Sequence, residues 1–352
     1  MPAMTLAGAG WHTQLAGRPI AVRWRHDAEL MVATGEGRVY ALPLAGEPGF
    51  ELEVDDEGLL ALDVAPDGAH WASGGCDGRA RIWRGQHVVA ELAFDAAADR
   101  GWVEHVAFAP DARRVAAARG RTVVLGGVDG SPHARDEGLA PRRLEHPSTI
   151  AAIAWSPSGD ALACAGYGGV WVHAAPTRPG TIAAEPRLLP WKGSMLSVAW
   201  DPRGRHLACG CQDGSVHFWR WPRGDDGMMS GYPTKPLALA WSPDGRSLAT
   251  GGGPAVTIWA GFRGRGPENT EPLELPGHRA VVDTLAFSTT RPRLASGSRS
   301  GQVIVYGFDG RGSIDVDAEL GSPVEAVVFS PDDRHLAAIT HDGGVRVWPM
   351  PE

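Results

Sequence analysis

The chain is short of cysteine, with four in 352 residues: Cys76, Cys164, Cys209 and Cys211. Cys164 and Cys209 fall at one position of consecutive copies of a repeat. Stacked sheets sit about 10 Å apart, beyond the roughly 7 Å Cα separation that a disulfide tolerates. Cys209 and Cys211 lie two apart on one predicted strand, which is also poor disulfide geometry. A disulfide framework is thereby excluded, and four reduced thiols in a reducing compartment are expected. Basic charge is in deficit too. Lys plus Arg is 33 against 41 Asp plus Glu, a net charge of −8. That excludes a nucleic-acid-binding surface spread over the whole protein. No apolar run reaches the length of a transmembrane helix, and residues 1–17 lack the charged and apolar regions of a signal peptide. The reading is a cytoplasmic protein with no nucleic-acid and no membrane partner.

Motifs that carry chemistry are also missing. There is no Cys-x-x-Cys-His for covalent haem, and no Gly-x-Ser-x-Gly elbow between a strand and a helix. Gly251-Gly252-Gly253-Pro254 falls in a predicted hairpin turn and not between a strand and a helix, so it does not cradle phosphate. His70, His206 and His335 share one repeat position, on units three apart, and are expected as exposed turn-flanking side chains. Cys164, Cys209 and Cys211 with a nearby His could bind a soft metal, but their spacing matches no metal motif. No catalytic residue, cofactor or metal ligand is assigned.

What the chain has in quantity is glycine and proline, 47 and 28 residues, and they recur at fixed turn positions. A segment of apolar strand, aromatic, Ser-Pro-Asp-Gly-like turn, small-residue strand, Asp-Gly turn and alternating third strand repeats eight times. Its clearest copies are Pro236–Ala260, Leu196–Trp221, Leu59–Arg84 and Val324–Pro349. Aligned on Trp24, Val64, Phe108, Trp155, Trp200, Trp241, Phe287 and Phe329, the copies are spaced by 40 to 47 residues. A repeat of this length cannot bury its own faces and stacks against copies of itself. Eight such units use the whole chain, about 18–54, 55–98, 99–146, 147–191, 192–234, 235–276, 277–320 and 321–349. The predicted fold is therefore all-β, an eight-bladed β-propeller of four-stranded antiparallel blades in one domain, with seven blades as the alternative.

Outer strands are expected at Phe50–Val54, His87–Phe94, Arg142–Glu145, Arg187–Pro190, Met228–Thr234, Pro272–Leu275 and Ile314–Glu319. The eighth unit has no room for one after Trp348, so residues 1–17 are expected to close the ring, with Trp11–Leu15 as the outer strand of the last blade. Three insertions, Val128–Ala140, Pro222–Tyr232 and Gly261–Glu271, are expected as solvated loops, with Met228-Met229 and Arg263 with Arg265 at their tips.

The third-strand residues Trp83, Trp219, Trp259 and Trp348, the turns Asp77-Gly78, Asp213-Gly214 and Asp342-Gly343, and Gly277-His278 resemble the WD-repeat family of β-propellers. The resemblance covers nearly the whole chain, with degenerate copies. The buried His–Ser–Asp–Trp network of that family is complete in no unit, so cohesion should rest mainly on apolar packing between sheets. The resemblance implies a non-catalytic scaffold that binds a protein or peptide on one rim. Carried over residue by residue, the rim positions include Trp102, Glu104, Tyr167, Leu196, Gln212, Asp283, Arg299, Glu325 and His341. Two alternatives from other classes are a metal-handling or enzymatic propeller with a site in the central channel, and a purely structural subunit of a larger complex.

Overall fold

The computed structural model describes residues 10–44, 49–94, 101–128, 142–175, 184–264, 266–267, 270–308 and 314–351. These residues form eight sheets and no helix, and so no helix long and apolar enough to cross a membrane. Each sheet is a blade of four antiparallel strands, taken in chain order from the axis outward except for the outer strand of the last blade. The innermost strands are Pro19–His26, Leu59–Val64, Val103–Phe108, Ile150–Trp155, Ala199–Trp200, Leu239–Trp241, Val282–Phe287 and Val324–Phe329. In blade 4 the second and third strands run as one element, Ala161–Ala174, which doubles back at Tyr167-Gly168.

The core is not a single mass. Eight apolar clusters lie one at each junction between neighbouring blades, including the junction of the last with the first. The second strands explain why. Arg114–Arg119 and His206–Gly210 are buried along their whole length, and their Ala, Gly and Cys residues let the next sheet approach closely. Bulk comes from the residue that ends each inner strand. Trp24, Trp155, Trp200 and Trp241 each donate an indole N–H to an inner-strand carbonyl of the preceding blade, on Val328, Ala107, Ala154 and Ala199, at 3.2, 3.0, 3.1 and 3.2 Å. A single aromatic thereby fills a junction and ties it. Phe108 has no ring donor, and there the backbone N–H donates instead to Asp63 at 2.9 Å.

The ring closes through residues 11–14. Trp11, His12, Thr13 and Gln14 stand opposite Val347, Arg346, Val345 and Gly344 as the outer strand of blade 8. Leu15 N–H then donates to the carbonyl of Gly343 at 2.9 Å. Gly343 has φ 99°, and a Cβ there would lie 2.5 Å from the Leu15 carbonyl oxygen, so glycine is required at this seam.

The blades also carry pieces of polar network. His278 and Ser296 hydrogen-bond at 2.6 Å in blade 7, and Trp83 donates to Ser73 at 2.9 Å in blade 2. In blade 6, Tyr232 occupies the middle of the chain. It accepts from Trp259 at 2.6 Å and lies 2.8 Å from the Thr250 hydroxyl. Burial pushes the Tyr232 phenol up to about 12.

Two expectations are corrected. The outer strand of blade 5 is Asp226–Met229, not Met228–Thr234. The chain turns at Gly224 and pairs Met229 with Val216, which buries Met229 and leaves Met228 exposed. The segment Pro222–Tyr232 therefore contains a four-residue strand and ends on a half-buried tyrosine, and is not wholly a solvated loop. Similarly, Phe262 inside Gly261–Glu271 is buried against Trp241 and Phe218, with ring centroids 4.6 and 5.2 Å away. Arg265, and most of Val128–Ala140, lie outside the described residues.

Candidate functional site

Antiparallel pairing places the start of each inner strand and the turn between strands two and three on one rim. Each rim side chain is aimed by backbone fixed elsewhere. Val103 is fully buried at the junction of blades 2 and 3, and its neighbour Trp102 is left 58% exposed. Tyr167 sits at the tip of the blade 4 hairpin, where Gly168 takes φ 89°. The Ser148 hydroxyl receives the Tyr167 N–H at 3.1 Å and faces its carbonyl at 3.3 Å. The backbone is pinned while the ring is 69% exposed. Among the described residues, Trp102 and Tyr167 make no ring contact with each other, so they do not form a cage.

Blades 7 and 8 carry ion pairs at matching positions. Arg299 Nε lies 2.5 Å from Asp283, and the pair holds the guanidinium above its ordinary range. In blade 8, His341 Nδ1 lies 2.7 Å from Glu325, which also accepts from Arg18 at 2.9 Å. The Arg18 backbone N–H donates to Glu36 at 2.8 Å. Each pair joins residues 16 apart in sequence, one in the turn and one near the start of the inner strand. Arg18 and Glu36 were missed by sequence reasoning because the first unit departs from the turn pattern.

The remaining rim positions are distributed differently. Gln212 is exposed, and its N–H donates to the Ser194 carbonyl at 3.0 Å. Leu196 is half-buried and contributes little surface. Glu104 lines, with Arg23 and His105, a cavity of about 290 Å³ among the inner strands of blades 1 to 4 and 8. Arg23 is paired there with Asp63 at 3.0 Å, and burial pulls His105 below its ordinary value.

The three turn-flanking histidines are not exposed. His206 is buried among Trp241 and Phe262 with Asp201 3.9 Å away. His335 packs against the Trp24 ring and His70 pairs with Asp67 at 3.1 Å, both half-buried. Each is the first residue of a second strand, and from there His206 and His335 pack against aromatic rings of the neighbouring blade. Cys164 stands beside two histidines. Residues on separate blades can meet when the blades are neighbours, and His146 of blade 3 meets Cys164 and His173 of blade 4. One ligand-capable atom from each lies within 4.8 Å of the others, and all three residues are buried. Burial pulls His173 down to about 4, and His146 also falls below its ordinary value. Burial pushes the Cys164 thiol up. The available signal was register. Cys164 and His173 lie in paired limbs of one hairpin, and His146 follows the outer strand of the preceding blade.

The family model for the WD domain, G-beta repeat, matches residues 46–84, 188–220, 269–307 and 318–349. Each match takes in the first three strands of one blade, in turn blades 2, 5, 7 and 8, and the first three matches also include the outer strand of the blade before, of which the fourth reaches only the end. Among solved structures, the chain is similar to the crystal structure of the computationally designed Ika8 protein. The two are 18% identical with a TM-score of 0.73 over 96% of this chain and 98% of that one. This likeness concerns the fold alone.

Proposed function

Because the chain is an eight-bladed propeller carrying degenerate WD repeats, we propose that it is a non-catalytic scaffold whose rim binds a protein or peptide. WD-repeat propellers typically serve as protein-interaction scaffolds. The observation that carries the reading is the pair Trp102 and Tyr167, 58% and 69% exposed on one rim in adjacent blades. Large aromatics held out from pinned backbone lose little conformational entropy on binding and anchor interfaces. Arg299 and His341 are already paired with Asp283 and Glu325, so they supply orientation and on-rate more than affinity. Glu104 and Gln212 are exposed and extend the surface, to which half-buried Leu196 adds little.

Affinity capture from the native cell, comparing wild type with a Trp102→Ala/Tyr167→Ala variant, tests this reading. Protein recovered by the wild type and lost by the variant supports it. Identical recovery sinks it. A second reading, a subunit that assembles through its outer edge, rests on the exposed Leu188, Met228 and Leu273 of the outer strands of blades 4, 5 and 6. It expects capture that depends on those three residues and not on the rim.

A further inference from the structure

The cluster of His146, Cys164 and His173 has no part in the rim and does not open on the channel. It lies inside the junction of blades 3 and 4, where Cys164 packs among Ala116, Ala118, Leu144 and Ile150. Two imidazoles and a thiol are a costly choice for a position that aliphatic side chains would fill.

We propose that this junction binds one Cu(I) ion, coordinated by His146, Cys164 and His173. The facing Nε2 atoms of the two histidines are 2.9 Å apart, and the rings meet edge to face at 76°. With metal–nitrogen and metal–sulfur bonds of about 2.0 and 2.3 Å, ligands in a trigonal set stand about 3.5–3.8 Å apart. One ligand-capable atom of each residue already lies within 4.8 Å of the other two, so side-chain shifts of roughly 1 Å complete the set. The outer shell is in place as well. His146 Nδ1 lies 3.2 Å from the carbonyl of Arg121, a bond it can make only as donor, and this leaves the Nε2 lone pair directed inward.

Charge and ligand number select the ion. Among the described residues no further His, Cys, Asp or Glu joins the group, and Glu145 is directed outward to Arg143 and Thr122. Two neutral imidazoles and one thiolate neutralise Cu(I) completely. Zn²⁺ would leave a net positive charge in an apolar junction, near the Arg142 guanidinium that already bears on His173, and it would lack its usual fourth ligand. Thiolate and imidazole also suit the softer ion. In the binding step the Cys164 S–H bond breaks, a Cu–S bond forms and one proton passes to solvent. The N–H···N contact between the histidines opens, the proton on His173 Nε2 is exchanged through solvent to its Nδ1, and each Nε2 then offers a lone pair. Copper enters and stays as Cu(I), so no electron is transferred.

The test is an anaerobic titration of the metal-free, reduced full-length chain with Cu(I), against a chromophoric Cu(I) chelator. The expected result is one Cu(I) per chain, with Zn²⁺ unable to displace it at equal concentration. Cys164→Ala, a small residue within an alanine-rich strand, should weaken binding at least about 100-fold while the protein still folds. X-ray absorption of the copper-loaded wild type, which needs no variant, should show one sulfur and two nitrogen neighbours. Fewer than about 0.1 Cu(I) per chain at chelator-buffered excess overturns the proposal. So does tighter binding of Zn²⁺. Copper retained in full by Cys164→Ala also overturns it, and would move the ion to the Cys211–Met195 sulfur pair, 3.6 Å apart in the next junction.

Discussion

The indole N–H of Trp24 donates to the carbonyl of Val328 at 3.2 Å, across 304 residues of sequence. This bond joins the first blade to the last, and it is the same bond that Trp155, Trp200 and Trp241 make to the blades before them. The seam of the ring is thus chemically a junction like any other. Replacing one tryptophan by phenylalanine keeps most of the apolar contact and strands a partly buried carbonyl, at about 1 kcal/mol. Urea unfolding of Trp24→Phe and Trp155→Phe should show losses of that size. The double variant should show their sum, because the sites are far apart. A Trp24→Phe variant as stable as wild type would remove the seam bond from the account.

The outer strand of blade 8 comes from residues 11–14. Deleting residues 1–17 bares the third strand of that blade and opens the apolar junction that contains Leu15 and Trp11. The truncated chain should melt many degrees lower, or fail to express in soluble form. Equal melting temperatures for the two chains would contradict closure by this strand.

Asp333 stands where the repeat pattern favours glycine and adopts φ 58°. Its carboxylate accepts from the Thr289 and Thr290 N–H groups at 2.9 and 2.5 Å and from both hydroxyls at 3.0 and 2.6 Å, bracing blade 8 against blade 7. These bonds hold its carboxyl below the usual range although burial opposes them. Asp333→Ala keeps the strained backbone and loses the bonds, at about 3 kcal/mol. Asp333→Gly loses the bonds but relieves the strain, and should be less damaging by about 1 kcal/mol. Chemical denaturation of the two variants, ranked in that order, is the check.

Stability should fall on acidification well above the carboxylate range. Burial holds His173 and His217 at about 4 in the folded metal-free protein, in His217 against the opposing pull of Asp226 and Asp213. Both titrate near 6.5 when unfolded. Between pH 6.5 and 4 the unfolded chain binds the extra protons, so the stability from neutral buried histidine is full above 6.5 and is lost as pH falls toward 4. Melting curves at pH 7 and pH 4.5 should differ by at least about 5 °C. His217→Phe should narrow the gap, and a melting temperature flat over this range would count against the buried neutral histidines.

The fold was legible because its signals are local and repeated. Pro-Asp-Gly turns, Asp-Gly hairpins and strand-ending tryptophans each specify backbone conformation within a few residues, and eight copies leave little freedom. The outer strand of blade 5 was misplaced because Asp226-Gly227-Met228-Met229 carries no strand composition. Only pairing with Val216–Trp219 makes it one. The site was less legible. Exposure of Trp102 follows from the burial of Val103 in a junction with the preceding blade, which is a tertiary fact. The convergence of His146 with Cys164 depends on the stagger between two sheets, which no spacing within one repeat encodes.

The central claim is that the rim around Trp102 and Tyr167 is the binding surface. Its most direct measurement is the dissociation constant of the captured partner for wild type, for Trp102→Ala/Tyr167→Ala, and for Arg299→Ala/His341→Ala. Loss of two aromatic anchors should weaken binding at least about 30-fold, whereas loss of the two self-paired charges should change it less than about fivefold. Equal affinity of wild type and the aromatic variant, with both folded, would contradict the account.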